Sequence, residues 1–440
     1  MILGRPLKTA AVLACALLMI SVSSPSPGPD LSQGLFPESA VIIRGGEMPS
    51  LAGTEISALL LAALRDGELR AIPFQVDEVR NGEHVFDWVS PLGREKGLYD
   101  RDVDNGRLDA DDELVFMARD LGPRAESVKE SGAEKAVELA VTDPTSGKTA
   151  YAYLLLKSRL TPSRDDYVKM DISGGRLHVE TSRYKLSQPA DRGYFDELRV
   201  LTAKGDFSKN LVIRNQTPAR IKVKLIGIAG EKDFYDLIRG EPIAAKDGPV
   251  RVLWRCAGGA DFGGFKIKGE GGTEQHYYVN RMDQPVIMDI PFNFNMMLSS
   301  FDIRGVMLLN PQARPLTYYD ISHRAGVKID GVPDAKDGHL IGQEPRDWCV
   351  LSGNGLSVYF ITHFPEGWDS RLKRVSFVDD GPARSAVGSE FGEMVDLLSK
   401  GIHVYMVRFY IMPEDFKWGK EKEIEDMAGQ KLTVSCQAMP

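Results

Sequence analysis

Short strand-like runs recur along almost the whole chain, with turn residues between them and hardly any helical periodicity. Val250-Arg251-Val252-Leu253-Trp254-Arg255-Cys256 shows the pattern: Val, Val, Trp and Cys on one face, Arg251 and Arg255 on the other. Val137 to Thr142 and Ala150 to Leu156 flank Asp143-Pro144-Thr145-Ser146-Gly147, where Pro and Gly supply turn dihedrals. Tyr167 to Ile172 and Arg176 to Thr181 surround Ser173-Gly174-Gly175 as a second hairpin. Arg70 to Val79 reads as a strand, with Pro73 marking an edge or bulge, and Ile56 to Leu64 as a buried strand or short helix. Helix signals are confined to Glu390 to Lys400, closed by Gly401, and Lys420 to Ala428, closed by Gly429. Strands without intervening helices argue against a parallel βαβ sheet. The expectation is a mostly β protein: a small N-terminal β module followed by a large antiparallel β super-sandwich.

Three segments follow. Residues 1–24 read as a signal peptide: Arg5 and Lys8 precede the apolar run Ala10 to Val22, and small residues and prolines come after it. The run is short for a bilayer span, which needs roughly 20 apolar residues. This predicts a periplasmic or secreted protein with no membrane span after cleavage. Residues 35–157 form the N-terminal module, and residues 167–440 the super-sandwich. The polar stretch Lys157 to Asp166, with Pro162, lies between them.

Net charge is −8, and no basic block with interleaved aromatics is present, so nucleic acid is not an expected partner. Cys256, Cys349 and Cys436 would remain after cleavage; an odd number leaves at least one thiol unpaired, and their pairing is open. No C-x-x-C, G-x-S-x-G, Walker loop, H-E-x-x-H or Rossmann glycine pattern occurs. Cysteine-zinc, serine-triad and nucleotide chemistry are therefore disfavoured.

The segment Asp100 to Glu113 is the one stretch with inorganic chemistry. Calcium takes six to eight hard oxygens, and alternating carboxylates around a glycine can supply them. With Gly106 as loop position six, Asp109 falls at nine and Asp112 at twelve; Asp100, Asp102 and Asp104 match one, three and five if Asn105 is an insertion. Asp100, Asp102, Asp104, Asp109, Asp112 and Glu113 are the expected ligands of a structural calcium ion. Such crowded carboxylates repel one another, and a dication relieves that cost.

Arg70-Ala71-Ile72-Pro73-Phe74-Gln75-Val76-Asp77-Glu78, the acidic loop, and Asp112-Glu113-Leu114-Val115-Phe116 together resemble an N-terminal module of exported bacterial proteins of polysaccharide utilisation. There it precedes a galactose-mutarotase-like β super-sandwich, which residues 167–440 resemble in strand rhythm and size. The resemblance implies fold, compartment and a glycan partner. Mutarotase-like domains use a histidine pair and an acid, a pattern not matched residue by residue here.

From the residues themselves, His276, Arg281, Asp320 and His323 are the catalytic candidates, as acid, histidine and arginine groups at close spacing. Tyr278, Asn280 and Trp368 are the ligand-binding candidates. His276, Tyr278 and Asn280 are expected on one strand face. The resulting reading is an exported carbohydrate-binding or carbohydrate-processing protein. A non-enzymatic secreted or periplasmic protein-interaction component is the alternative. Whether a reaction occurs, on which sugar and in what oligomeric state is left open by the residues alone.

Overall fold

A computed structural model of the chain describes residues 39–439, apart from 81, 92–105, 145, 192–193, 217, 224–228, 234–237, 263–264, 269–272, 291–292, 294–297, 333–347, 364–373, 380, 382–383, 392–399 and 421–431. The proposed signal peptide, Asp100, Asp102, Asp104 and Trp368 thus lie outside the described residues. Regular structure in the described part is strand, with short 3-10 turns, and every named strand pairing is antiparallel. The mostly β expectation holds.

Two sheets form the N-terminal layers. Phe74–Asp77, Glu113–Met117 and Ala40–Arg44 make a three-stranded sheet. Glu68–Ala71, Leu59–Arg65, Thr149–Leu156, Lys135–Thr142 and Thr433–Met439 make a five-stranded one. Period-two alternation sends Val76, Leu114 and Phe116 into a core shared with Leu61, Leu139 and Leu154 of the five-stranded sheet. The opposite face carries Gln75, Asp77, Glu113, Val115 and Met117. Val115 and Met117 pack against Val250, Tyr278 and Val279. Thr433–Met439 pairs with Lys135–Thr142 and so adds an edge strand to the five-stranded sheet.

The largest sheet has eleven strands, among them Arg251–Phe262, Thr273–Tyr278, Arg281–Ile290, Gly401–Met412 and Leu356–His363. Its inner face carries Val252, Trp254, Tyr277, Met282, Phe360 and Phe409. These pack against a four-stranded sheet, through Leu177, Val179, Leu186 and Leu198, and a six-stranded one, through Met307, Phe377 and Val387. Such apolar burial contributes about 25 cal/mol per Å² of area removed from water. The outer face carries Arg251, Arg255, Glu274, His276, Tyr278, Arg281, Asp283 and Arg408, set side by side by the register Arg251↔Tyr278, His276↔Asp283 and Asp283↔Arg408.

Several local expectations are refined. Arg70 to Val79 is not one strand: Ile72 N–H still donates to Leu61 O, Pro73 has no N–H to donate, and from Phe74 the chain pairs in the three-stranded sheet instead. Ile56 to Leu64 splits into a 3-10 turn, Ile56–Ala58, and a strand from Leu59. The Gly174-Gly175 turn has φ 58 and 71, the left-handed pair that a two-residue hairpin needs. Glu390 and Phe391, read as helix, end the strand Ser385–Phe391. The rest of that segment to 399, and residues 421–431, lie outside the described residues. Cys256, Cys349 and Cys436 are all free thiols, the first two buried.

Asp247 ends the strand Ile238–Asp247 and is exposed, near Asp166 and Asp87. Partial desolvation of the carboxyl and these two carboxylates push its pKa up to about 6, against a backbone hydrogen bond from Met170. A raised carboxyl pKa favours the folded state below the unfolded value. That advantage is lost as pH rises through about 6. Asp247→Asn is therefore expected to raise the melting temperature at pH 8, by roughly 1 kcal/mol of stability after solvent screening, and to be neutral near pH 4. Thermal melts of both proteins at the two pH values check this.

Candidate functional site

The seam between the three-stranded sheet and the outer face of the eleven-stranded sheet is lined with charge. From the N-terminal side come Asp77, His84 on the short strand Glu83–His84, and Glu113. From the large sheet come Lys246, Arg251, Arg255, Glu274, His276 and Tyr278. Arg251 is the hub. Its Nε donates to Asp77 Oδ2 at 2.7 Å, its Nη2 to Glu113 Oε2 at 2.6 Å and its Nη1 to the Tyr278 hydroxyl at 3.2 Å. Its side chain is 1% exposed and that of Asp77 0%. Lys246 Nζ reaches Asp77 Oδ1 at 3.1 Å, and Gln75 Nε2 donates to the same carboxylate. Burial works against the Asp77 charge, yet Arg251 and Lys246 hold its pKa below the usual carboxylate value.

One step outward lies a histidine–carboxylate chain. His84 Nδ1 is 2.6 Å from Glu274 Oε1, and His84 Nε2 is 3.2 Å from Glu113 Oε2. His276 Nε2 is 2.8 Å from the same Glu274 oxygen. Burial disfavours the His84 cation, but hydrogen bonds to Glu113 and Glu274 outweigh it and raise its pKa to about 9. Glu113, though desolvated, is drawn down to about 2 by His84 and Arg251. Glu274, also desolvated, is held well below the carboxylate range by His276 and His84. At neutral pH the seam thus presents an imidazolium clamped between two carboxylates. A second imidazole, 22% exposed, stands at the solvent side.

His84, Glu274 and His276 are also the one group of described residues whose nitrogen and oxygen atoms converge as a metal site would require, within 4.8 Å of one another. Two of the three separations are hydrogen-bond lengths, 2.6 and 2.8 Å. Ligands about 2.0–2.2 Å from a tetrahedral ion stand farther apart than that. In this arrangement the trio shares protons, and it would have to spread to hold a metal.

Of the residues read from sequence, His276 belongs to the chain just described, and Arg281 lies beside it, its guanidinium 4.1 Å from the Tyr278 ring centre. Tyr278 is 1% exposed, with its ring beneath Arg281 and its hydroxyl on Arg251. Asn280 is 2% exposed and lies in the turn after the strand, which ends at Tyr278, so the three do not share a strand face. Asp320 and His323 form a separate local unit. The Asp320 carboxylate takes the N–H groups of Ser322 and His323, the Tyr318 hydroxyl and His323 Nδ1. Their strand, Leu316–Tyr319, is separated from Thr273–Tyr278 by four others. Asp112 turns its carboxylate to the backbone N–H groups of Val79 and Asp109. Glu113 is in the seam, bound to Arg251 and His84, rather than beside Asp112. Strand geometry is the reason: on extended backbone, neighbouring side chains point to opposite sides.

His84 and Glu274 escaped sequence reasoning. Asn81-Gly82 was the available signal for the first, because that dipeptide marks a tight hairpin, and Gly82 has φ 79. For the second it was Glu274-Gln275-His276, an acid and a histidine two apart on a strand and so on one face.

Fold and site together define the class: an antiparallel stacked-sheet protein with a histidine–carboxylate chain at the seam between two sheets. No protein-family model matches the sequence, and no curated protein matches it. Among solved structures, similarity is found to an alpha-mannosidase from Enterococcus faecalis V583, at 8% identity and a TM-score of 0.38. The match covers 90% of this chain and 47% of the mannosidase, so the chain spans about half that length. A likeness at that level carries no argument about function.

Proposed function

We propose that this is an exported, periplasmic or secreted protein that processes carbohydrate by acid–base chemistry at His84, Glu274 and His276. The observation that carries the reading is the convergence of two histidines and one carboxylate, each largely but not fully buried, on a polar sheet face. These are also the residue types that resemblance to mutarotase-like sandwiches implies. A histidine that holds its proton, a carboxylate that stays ionised and a second imidazole at the solvent edge can give and take a proton from a sugar oxygen in one place. Such positioned groups contribute roughly 10²–10⁴-fold. The large hydrophobic side chains that are exposed among the described residues, Ile42, Trp88, Ile213, Ile321, Val332 and Val404, are spread over separate segments. That distribution suits a polar working surface better than an apolar docking face.

The test is a glycan array with the mature chain, followed by turnover of each bound oligosaccharide by proton NMR. Binding by the native protein and a fall in turnover of about 100-fold or more in His276→Ala, with an unchanged melting temperature, is expected. No glycan bound and none altered would end the reading. Calcium belongs to it as a structural ion at the acidic loop, with Asp100, Asp102, Asp104 and Asp109 as ligands. Melts with added calcium or chelator test that part, because an ion bound only to the folded state raises the midpoint.

A further inference from the structure

Among the described residues, the outer face of the large sheet beside His276 sets two guanidiniums against one carboxylate. Arg281 and Asp283 alternate onto this face from Arg281–Ile290, and Arg408 comes from the neighbouring strand, opposite Asp283 in register. Asp283 Oδ1 is 3.0 Å from Arg281 Nε and 3.4 Å from Arg408 Nε. It is the only carboxylate among the described residues in an ion pair with either arginine. Two guanidiniums therefore share one carboxylate. Sharing is also poor in geometry: Arg281 Nε, Asp283 Oδ1 and Arg408 Nε are all buried atoms without a hydrogen bond. The two guanidinium Nε donors left without a hydrogen bond show that Asp283 does not satisfy either arginine fully, which leaves both with capacity for a further acceptor. Arg408 is 30% exposed and Arg281 16%, so the partner can arrive from solvent.

We infer that Arg281 and Arg408, next to His276, form a subsite for the carboxylate of an acidic sugar. The inference rests on the carbohydrate reading and narrows it to uronate-containing glycans. Charge decides the class. Among the described residues Arg281 and Arg408 exceed Asp283 by one charge, and the other contact of Arg408 is to the His363 ring, 3.4 Å away; a carboxylate supplies one negative unit, whereas a phosphate monoester brings −1.5 to −2. Planar guanidinium groups match the two oxygens of a carboxylate and give paired, charge-assisted hydrogen bonds. A neutral sugar leaves both arginines as they are. The excess sits within the register row that holds His276, so a bound uronate ring would lie against the proton-transfer chain.

The experiment uses the whole mature chain and calorimetric titration with fragments of polygalacturonate, alginate and hyaluronan. Comparators are the methyl ester of the galacturonate fragment, neutral cello- and manno-oligosaccharides, and dextran sulfate. At least one uronate fragment should bind roughly tenfold or more tightly than the neutral compounds, and its affinity should fall as salt rises from about 0.05 M to about 0.5 M. Esterifying the galacturonate fragment should remove any advantage it has. Arg408→Gln should lose most of the preference for acid while keeping whatever neutral binding exists. Equal binding of acid and neutral fragments, or an unchanged preference in Arg408→Gln, overturns the subsite but leaves the carbohydrate reading standing. Dextran sulfate binding as well as the best uronate overturns the carboxylate assignment. No binding by any glycan overturns both. If Arg408→Gln does not fold, the ester and salt comparisons on the native chain still decide.

Discussion

Replacing Arg251 by methionine is expected to cost about 3–5 kcal/mol of stability, the range for breaking a buried ion pair from one side. Methionine fills much of the same space, so the loss would come from charge and not from a cavity. Asp77, with 0% side-chain exposure, would keep only Lys246 and Gln75, and Glu113 would keep only His84. The Tyr278 hydroxyl would lose its donor as well. The three-stranded sheet meets the large sheet through this network and the small apolar patch of Val115, Met117, Val250, Tyr278 and Val279. Part of the destabilisation should therefore appear as opening of the seam, seen as faster hydrogen exchange in Glu113–Met117 and Thr273–Tyr278. Urea unfolding at pH 7 measures the total. A shift below about 1 kcal/mol would mean that water replaces the guanidinium without penalty. Arg251→Lys should recover only part of the loss, because an ammonium cannot reach Asp77, Glu113 and Tyr278 in one planar fork.

Ending the chain after Lys431 should have the second large effect. The strand Thr433–Met439 supplies seven register pairs to Lys135–Thr142. Leu432, Val434 and Cys436 also pack on the core between the two N-terminal sheets. Losing three partly buried apolar side chains removes on the order of 3 kcal/mol. It also turns Lys135–Thr142 into an open edge that can pair with another molecule. Expression of the shortened chain should give mainly aggregate, and any soluble fraction should melt well below the full-length protein. A truncated chain that stays monodisperse on size exclusion with an unchanged melt would show the strand to be an ornament of the sheet.

Legibility in the sequence followed the range of the forces involved. The run Val250 to Cys256 was readable because side-chain direction on a strand repeats every two residues. Its Arg251 and Arg255 do face away from Val252, Trp254 and Cys256. Val250 departs from the pattern: it precedes the strand and packs with Val115 and Met117. The hairpins at Gly174-Gly175 and Asp143 to Gly147 were readable for a similar reason, since a few residues and their dihedrals decide them. The site was half legible. His276 and Arg281 stood out as polar residues beside aromatics, but their partners did not. Its acidic neighbours make Glu113 resemble a loop ligand, whereas its strand position turns it to the other side, onto Arg251. Asp320 and His323 looked like a dyad and are a turn that satisfies itself.

Sequence alone determined what depends on the nearest few bonds: alternating faces, turn positions and the strand-rich class. Tertiary structure decided what depends on strands meeting across long loops. His84 meets Glu274 across 190 positions, and Arg251 meets Asp77 across 174. Thr433 meets Thr142 across 291. Such contacts form because burying the apolar face of each sheet brings particular opposite faces together, and charges on those faces must then find partners inside the seam or remain desolvated without them. No local rule encodes that pairing, which is a property of how the sheets stack.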